Sequence, residues 1–290
     1  MRRLALLWAF VLLLAVEPAT AAVSHPRRTV HARGIAGSVA VDGVHLVGYG
    51  GGGGRIALFD DQTGTTRRAG LGRRCTRIVP IDARDGYFLV NCGTNGPEGP
   101  VIEQIVFDAR TDTATDLPLA SYERIGTEWV EGTTPSEGRD VVIYTNWHTG
   151  ETYSEGEAPS GEVRTPFDLD SPNLEAVALA AKEFVVGSSR ALELVRSRGR
   201  SSIHLRGRMS DRLLRRCARA CHPTSMKGGL ALWMEGSQKL FGYALKTRRR
   251  FEWRVSDSAV VRGATQRRVY YLTPSFASPQ NVDLRSFRWR

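Results

Sequence analysis

Long hydrophobic segments, lysine and helical periodicity are all scarce in this sequence of 290 residues. After the first residues, no stretch is long and apolar enough to cross a bilayer, which takes about 20 residues. The chain has four cysteines and contains neither a His-Glu-x-x-His zinc motif nor a Gly-x-Ser-x-Gly nucleophile elbow. The later chain therefore has no predicted membrane span, and the signatures of zinc peptidases and serine hydrolases are missing.

The charge is strongly basic, with 40 lysines and arginines against 30 aspartates and glutamates, and almost all the basic residues are arginine. A general arginine bias is typical of GC-rich genomes, so it is weak evidence for function. One stretch, 190–219, is unusually rich in arginine, and we interpret it first as solvated outer strands. The alternative is a patch for an anionic partner, formed by Arg196, Arg198, Arg200, Arg206 and Arg208.

The amino terminus has the three regions of a secretory signal peptide. Met1–Arg3 is basic, Leu4–Val16 is an unbroken apolar run, and Ala19–Ala22 supplies small residues for a signal peptidase. We therefore predict a cleavable signal at residues 1–22 and a single secreted or extracytoplasmic domain at residues 23–290. The alternative is a signal that is retained as an anchor.

An even number of cysteines in an exported chain favours disulfides. The sequence allows three connectivities, of which we favour Cys75–Cys92, across a hairpin, and Cys217–Cys221, in a short loop. The segment Cys217–His222 is one residue longer than a c-type haem attachment motif, and the chain offers no evident axial ligand. We therefore predict no cofactor and no metal site.

The strongest organisational signal is a recurring phrase: a β-rich strand, an Asp or Asn turn, a Thr-Gly-like pair and another short strand. Such turns accommodate a positive φ and predict β-hairpins. The copies lie about 40–50 residues apart, with one wider gap, and this period suits a four-stranded blade. The phrase occurs at 55–69, 103–117, 140–153 and 239–253.

This pattern resembles the β-propeller superfamily, particularly the six-bladed exported propellers of the TolB and NHL kind. The resemblance covers most of the chain after the signal and rests on the repeated phrases. It implies an all-β fold of about six four-stranded blades, and the alternative is a pair of β-sandwiches. The expected blade starts lie near Arg33, Arg74, Ile125, Leu174, Lys227 and Val260.

Three local expectations follow from this interpretation. The segment around Val30 is expected to supply the outer strand of the last blade and so to cover a sheet edge. The glycine run 48–54 is interpreted as a flexible loop between strands. The segment Ser210–Arg219 has helical spacing and is interpreted as a short helix between blades.

The function that we favour is a binding scaffold, because the repeats carry no catalytic motif and loops on rigid scaffolds carry recognition. We expect a monomer whose partner is a protein or an anionic envelope polymer, and no nucleic acid, because aromatic residues are absent from the arginine-rich stretch. The alternative is a lyase, lactonase or glycosidase with its site at the propeller axis. Its candidate catalytic residues are Glu128, Asp140, His148 and Glu175.

Overall fold

The computed structural model describes residues 28–35, 38–51, 54–71, 75–96, 99–126, 128–136, 138–154, 184–186, 190–197, 199–207, 210–275 and 281–290. Within these ranges all regular secondary structure is β-strand. Accordingly, the described chain contains no helix that could cross a membrane. The predicted signal at 1–22 lies outside these ranges.

The strands form six antiparallel sheets of four strands each. In the first three sheets the strands pair in chain order, each with its sequence neighbours. With β1 (Arg28–Ile35) preceding them, the strands of blades 1 to 3 are β2 (Val39–Val41), β3 (Leu46–Gly51), β4 (Arg55–Asp60), β5 (Thr66–Gly70), β6 (Arg77–Arg84), β7 (Tyr87–Gly96), β8 (Gly99–Asp108), β9 (Thr113–Asp116), β10 (Ser121–Ile125), β11 (Trp129–Ser136), β12 (Arg139–Asn146) and β13 (Thr152–Ser154).

Blades 4 and 5 follow the same rule, whereas the outer strand of blade 6 is β1, from the other end of the chain. The strands of blades 4 to 6 are β14 (Phe184–Val186), β15 (Arg190–Ser197), β16 (Arg200–Gly207), β17 (Ser210–Arg216), β18 (Cys221–Lys227), β19 (Leu230–Glu235), β20 (Lys239–Ala244), β21 (Arg250–Arg254), β22 (Val260–Ala264), β23 (Arg268–Pro274) and β24 (Val282–Arg288).

The first strands of the blades are neighbours in space, in a series from blade 4 through blades 5, 6, 1 and 2 to blade 3. This arrangement is a six-bladed β-propeller, which confirms the predicted fold and excludes the pair of sandwiches. The predicted blade start at Val260 coincides with the first residue of β22, and the start at Arg74 lies just before β6. The predicted starts at Ile125 and Lys227 are instead the last residues of β10 and β18, and Arg33 lies in β1, which belongs to blade 6. Leu174 lies outside the described residues.

Strand β1 closes the ring as expected. It pairs antiparallel with β24, with Val30 opposite Arg285 and Ile35 opposite Val282. The pairing covers the edge of β24, which would otherwise present unpaired backbone groups to solvent. The Arg28 side chain also donates to the Arg254 carbonyl oxygen of blade 5 over 3.2 Å.

The recurring phrases form the hairpins between the third and fourth strands of blades 1, 2, 3 and 5. In blade 1, the Gly64 amide donates to the Asp60 carbonyl oxygen over 2.8 Å, and the Asp60 side chain accepts the Gln62 amide at 2.7 Å. Asn146 accepts the His148 amide in the same way in blade 3. The turn chemistry read from the sequence therefore predicts these hairpins correctly.

The first part of the glycine run, 48–51, belongs to strand β3 and is not a loop, which corrects the sequence interpretation for these residues. Gly54 lies in the turn before β4, and residues 52–53 lie outside the described ranges. Gly48 and Gly50 lie within β3, where a Cβ on Gly48 would lie 2.5 Å from the Phe88 ring. A Cβ on Gly50 would lie 2.5 Å from the Ile78 carbonyl oxygen. These glycines are required because blade 2 packs directly on the backbone of blade 1.

The segment predicted as a short helix is an outer strand instead. Residues Ser210–Arg216 form β17, which pairs antiparallel with β16 and places Leu214 in the core with 3% exposure. The segment forms a strand because the edge of β16 needs a partner and because Asp211 can then pair with Arg206 across the strands.

Both predicted disulfides are present. Cys75 and Cys92 are joined with a Cα–Cα distance of 5.2 Å, and Cys217 and Cys221 with a Cα–Cα distance of 6.2 Å. The first bond fastens the connection between blades 1 and 2 to strand β7. The second closes the connection between blades 4 and 5, where the Glu235 carboxylate also accepts the Ala218 amide at 2.8 Å.

The hydrophobic core lies between neighbouring blades. Separate clusters of buried side chains join blades 1 and 2, 2 and 3, 4 and 5, 5 and 6, and 6 and 1. Blades 1, 2, 5 and 6 therefore each have two apolar faces, and their stability depends on the blades on either side.

Candidate anion-binding site

Three of the four candidate catalytic residues are described, and they do not converge. Glu128 and His148 lie at the same end of blade 3, where the Trp147 amide donates to the Glu128 carbonyl oxygen over 3.0 Å. Asp140 lies near the other end of β12, on the order of 20 Å away at about 3.3 Å per residue. Glu175 lies outside the described residues.

Three of the five arginines predicted as a patch are described, and they lie at the two ends of the β15–β16 hairpin, with Arg196 and Arg200 at one end and Arg206 at the other. Arg206 donates to Glu193 at 2.7 Å and to Asp211 at 2.5 Å, so two acidic residues balance its charge. Arg200 is exposed at the opposite end of β16, and Arg196 has an interaction of its own. Arg198 and Arg208 lie outside the described residues.

At the axis, Lys227 of blade 5 reaches across to blades 1 and 2. Its ammonium group donates to the Ala83 carbonyl oxygen at 2.8 Å and to the Val41 carbonyl oxygen at 3.1 Å, and it pairs with the Asp82 carboxylate. Asp82 also accepts the Ile125 amide of blade 3. Within the described ranges, no three His, Cys, Asp or Glu side chains are placed to share a metal ion.

A pocket of about 360 Å³ lies where blade 6 meets blade 1. Blade 1 contributes Asp61 from the turn after β4, and blade 6 contributes the turn before β23 and the end of β24. We call it the arginine pocket; it is lined by Asp61, Gln266, Arg267, Arg268, Arg288 and Arg290.

A buried polar cluster fixes the base of the pocket. The Thr265 hydroxyl donates to the Asp61 carboxylate at 2.5 Å, and the Arg268 guanidinium lies 2.9 Å from the other carboxylate oxygen. Thr265 is fully buried and also accepts the Arg268 amide at 3.1 Å. Because Asp61 and Arg268 satisfy each other, the net positive charge of the pocket comes from its remaining arginines.

Tyr270 lies beside this cluster, and its hydroxyl does not contribute a negative charge. Burial raises the pKa of Tyr270, and the nearby Asp61 carboxylate raises it further. The phenol therefore stays protonated at physiological pH.

The carboxyl-terminal tryptophan holds the wall of the pocket in place. The Trp289 ring nitrogen donates to the Thr265 carbonyl oxygen at 3.0 Å, and the Trp289 amide donates to the Arg267 carbonyl oxygen at 3.0 Å. The Arg290 guanidinium lies over the Trp289 ring, 4.5 Å from its centroid. These contacts position Arg267 and Arg290 on rigid backbone while their charged groups remain exposed.

The electrostatics of the pocket favour an anion. Arg288 lies directly opposite Arg268 in the β23–β24 pair, and Asp61 balances the charge of Arg268 but not that of Arg288. Within the described residues, Arg267, Arg288 and Arg290 have no carboxylate partner. An anionic group in the pocket would balance the charges of these three arginines, and guanidinium groups bind carboxylates and phosphates through two parallel hydrogen bonds.

The sequence interpretation missed this site. Its arginines lie in two short segments, Gln266–Arg268 and Arg288–Arg290, which are about 20 residues apart in sequence and are joined only by strand pairing. A search for basic residues at the ends of predicted paired strands, in place of dense stretches, would have identified both segments.

No protein-family model matches the chain, and no curated protein matches it by sequence. Solved structures do align with it. An oxidoreductase (glucose dehydrogenase) of Thermus thermophilus is 13% identical with a TM-score of 0.43, and the alignment covers 90% of this chain and 99% of that one.

Two fungal proteins align similarly. The Cps50 (Swd1) β-propeller domain of Myceliophthora thermophila is 10% identical over 91% of this chain and 98% of that domain, with a TM-score of 0.42. Sqt1 of Saccharomyces cerevisiae is 12% identical over 92% of this chain and 99% of that one, with a TM-score of 0.40. Identities this low assign no function to this chain.

Proposed function

We propose that the protein is an extracytoplasmic binding scaffold that holds an anionic group of its partner in the arginine pocket. The observation that carries the proposal is the convergence of Arg267, Arg288 and Arg290 on one cavity without a balancing acid. The volume of about 360 Å³ lies within the range typical of small-ligand pockets, about 300–1,000 Å³.

The affinity expected for one anionic group is modest. Three charge-assisted hydrogen bonds of about 1.5 kcal/mol each correspond to a dissociation constant on the order of 1 mM. A pocket of this kind therefore serves as one contact within a larger interface, which is the mode of action expected of a scaffold.

The proposed location outside the cytoplasm rests on the amino-terminal signal pattern and on the cysteines. All four cysteines form disulfides, and structural disulfides persist in oxidising compartments. Together with six four-stranded blades, these features support a place among the six-bladed exported propellers of the TolB and NHL kind.

The pocket can be tested by ligand-induced thermal stabilisation with glucuronate as a simple carboxylated sugar. At about 20 times the dissociation constant, binding should stabilise the folded state by about 2 kcal/mol and raise the melting temperature by a few degrees. Glucose with sodium chloride at equal ionic strength should give no such rise.

The variant R267Q/R288Q should lose the stabilisation by glucuronate. Its matched control is R200Q/R216Q, which removes the same charge from exposed positions of blade 4. Equal stabilisation of the wild type and R267Q/R288Q would show that the arginine pocket does not hold the anion.

A further inference from the structure

The turn between β20 and β21 presents the most basic segment of the described surface. Lys246, Arg248, Arg249 and Arg250 are all exposed. The turn is ordered by backbone hydrogen bonds, because the Arg248 amide donates to the Ala244 carbonyl oxygen at 2.8 Å. The charged side chains therefore extend from a fixed backbone.

Arg248 occupies a position that favours glycine. Its φ is +57°, and the equivalent turn positions are Gly64 and Gly150 in blades 1 and 3, with φ of +75° and +79°, and Asp112 in blade 2, also with φ of +57°. A left-handed conformation is strained for an arginine and free of strain for glycine. Arg248 therefore presents its charge from a strained backbone position, as Asp112 does in blade 2.

This turn lies next to the arginine pocket. The Arg249 guanidinium lies 5.4 Å from the Phe251 ring centroid, the Phe251 and Trp289 centroids are 6.0 Å apart, and Arg290 lies 4.5 Å from the Trp289 centroid. The distance between the guanidinium groups of Arg249 and Arg290 therefore cannot exceed the sum of these three distances.

We group the basic residues of this turn that lie on the side of the pocket with the unpaired arginines of the pocket, and we call this group the basic ridge. The nearest acidic residues are engaged elsewhere: Glu252 lies 3.4 Å from Lys239, and Asp257 accepts the Ser237 hydroxyl at 2.8 Å. No ion pair among the described residues neutralises the ridge. It consists of Lys246, Arg248, Arg249, Arg267, Arg288 and Arg290.

The aromatic rings beneath the ridge are not available to a ligand. Trp289 is 6% exposed and Trp253 is 2% exposed, and Phe251 is stacked on Trp253 with centroids 5.2 Å apart. Proteins that bind single-stranded nucleic acid use exposed aromatic rings to stack on bases. The ridge offers charge without stacking, which suits a linear polyanion that has no bases.

We propose that the basic ridge binds a linear anionic polysaccharide. One acidic sugar occupies the arginine pocket, and the neighbouring acidic groups contact the turn between β20 and β21. This inference rests on the proposed function of the pocket and extends it, because linked groups bind more tightly than a single one through a high effective concentration.

The test compares a uronic-acid oligomer of about ten sugars with its monomer, by titration calorimetry at low ionic strength. The wild type should bind the oligomer at least about ten-fold more tightly than the monomer. The variant R248G/R249Q should lose about ten-fold in oligomer affinity and keep its monomer affinity, and its affinity should depend less steeply on salt.

The single variant R248G distinguishes an effect on oligomer binding from an effect on folding stability. It should raise the melting temperature, because glycine relieves the strain at +57°, while it lowers oligomer affinity. R200Q/R216Q, which removes as much charge as R248G/R249Q, should bind the oligomer like the wild type.

The outcomes distinguish the two proposals. Unchanged oligomer binding by R248G/R249Q would overturn the ridge and leave the pocket intact, whereas unchanged monomer binding by R267Q/R288Q would overturn the pocket itself. Single-stranded DNA of equal charge that binds as tightly as the oligomer would overturn the polysaccharide as the partner.

Discussion

Lys227 shows how a single residue can join several blades. Its ammonium group contacts blade 1 through the Val41 carbonyl oxygen and blade 2 through the Ala83 carbonyl oxygen and the Asp82 carboxylate. Its side chain is 27% exposed and that of Asp82 is 22% exposed, so solvent screens this pair only in part. Lys227 therefore links blade 5 to blades 1 and 2 at the axis.

We expect K227M to lower the free energy of unfolding by about 1–3 kcal/mol, because it leaves a largely buried carboxylate without its cation. Urea denaturation followed by tryptophan fluorescence would measure this. The control is K239M, because Lys239 is 44% exposed and lies 3.4 Å from Glu252, a surface pair that contributes about 0.5 kcal/mol. Equal losses of unfolding free energy in the two variants would contradict the role of Lys227 as a link between blades.

At the scale of residues, the sequence predicts chemistry that is local and misses chemistry that depends on packing. The two disulfides and the Asp60 and Asn146 turns depend on near neighbours, and their prediction is confirmed. Gly48 was assigned to a loop because a glycine needed for turn freedom and one needed for close packing look the same in sequence. Only the position of Phe88 distinguishes them.

At the scale of elements, β1 carries an ionisable residue into the seam between blades 6 and 1. The His31 ring lies 4.3 Å from the Phe59 centroid and 5.5 Å from that of Tyr270, and its Nε2 lies 2.6 Å from the Ser286 hydroxyl. Burial and, to a lesser degree, the Arg268 guanidinium lower the pKa of His31 to about 4, while Asp61 opposes the shift. His31 is therefore neutral in the folded protein at pH 7.

This shift predicts a loss of stability in mild acid. The pKa of His31 is about 4 in the folded protein against 6.5 for an ordinary histidine, so the unfolded chain takes up the proton first as the pH falls. Stability from His31 is complete above about pH 6.5 and is lost as the pH falls to about 4, by at most about 3 kcal/mol.

Urea unfolding across this pH range, on the wild type and on H31F, would measure the loss. Phenylalanine keeps a ring against Phe59 and Tyr270 but cannot be protonated, so the variant should lose less stability between pH 6.5 and pH 4. Identical pH profiles would mean that His31 does not control the seam. Carboxyl groups with lowered pKa, such as Asp283, are the same in both proteins and cancel in the comparison.

The strands show which elements a sequence can predict. The hairpins around 60–64 and 146–150 were predicted because turn residues at fixed offsets determine them locally. The segment Ser210–Arg216 was predicted as a helix because its few apolar residues fit that spacing, but it becomes a strand because β16 supplies an edge to pair with. Tertiary context of this kind overrides a weak local pattern.

At the scale of the whole molecule, the period of the repeats predicted the number of blades, and the fold followed from it. The arginine pocket did not follow, because it forms where the last blade meets the first and its arginines lie before β23 and at the end of β24, which strand pairing brings to the same end of the sheet. Ring closure is thus a condition both for the stability of the fold and for the existence of the site.

The closure of the propeller ring by β1 leads to a final prediction. A chain that begins at Ser38 lacks β1, so the edge of β24 is exposed and the core between blades 6 and 1 loses Ile35, which is 9% exposed in the intact protein. We expect this chain to aggregate and to lose its sharp denaturant transition, because exposed strand edges pair with other chains. Size-exclusion chromatography and urea denaturation would measure both.

A chain that begins at Val23 retains β1 and is the control, which should remain monomeric with a cooperative transition. A synthetic peptide of residues 28–35 should restore a sharp transition to the shortened chain, because an added strand can complete an open sheet edge. If the chain that begins at Ser38 stays monomeric with an unchanged midpoint, ring closure contributes nothing to stability. If it instead folds only with the peptide, the pocket should recover glucuronate binding at the same time, since Arg288 lies on the strand that β1 covers.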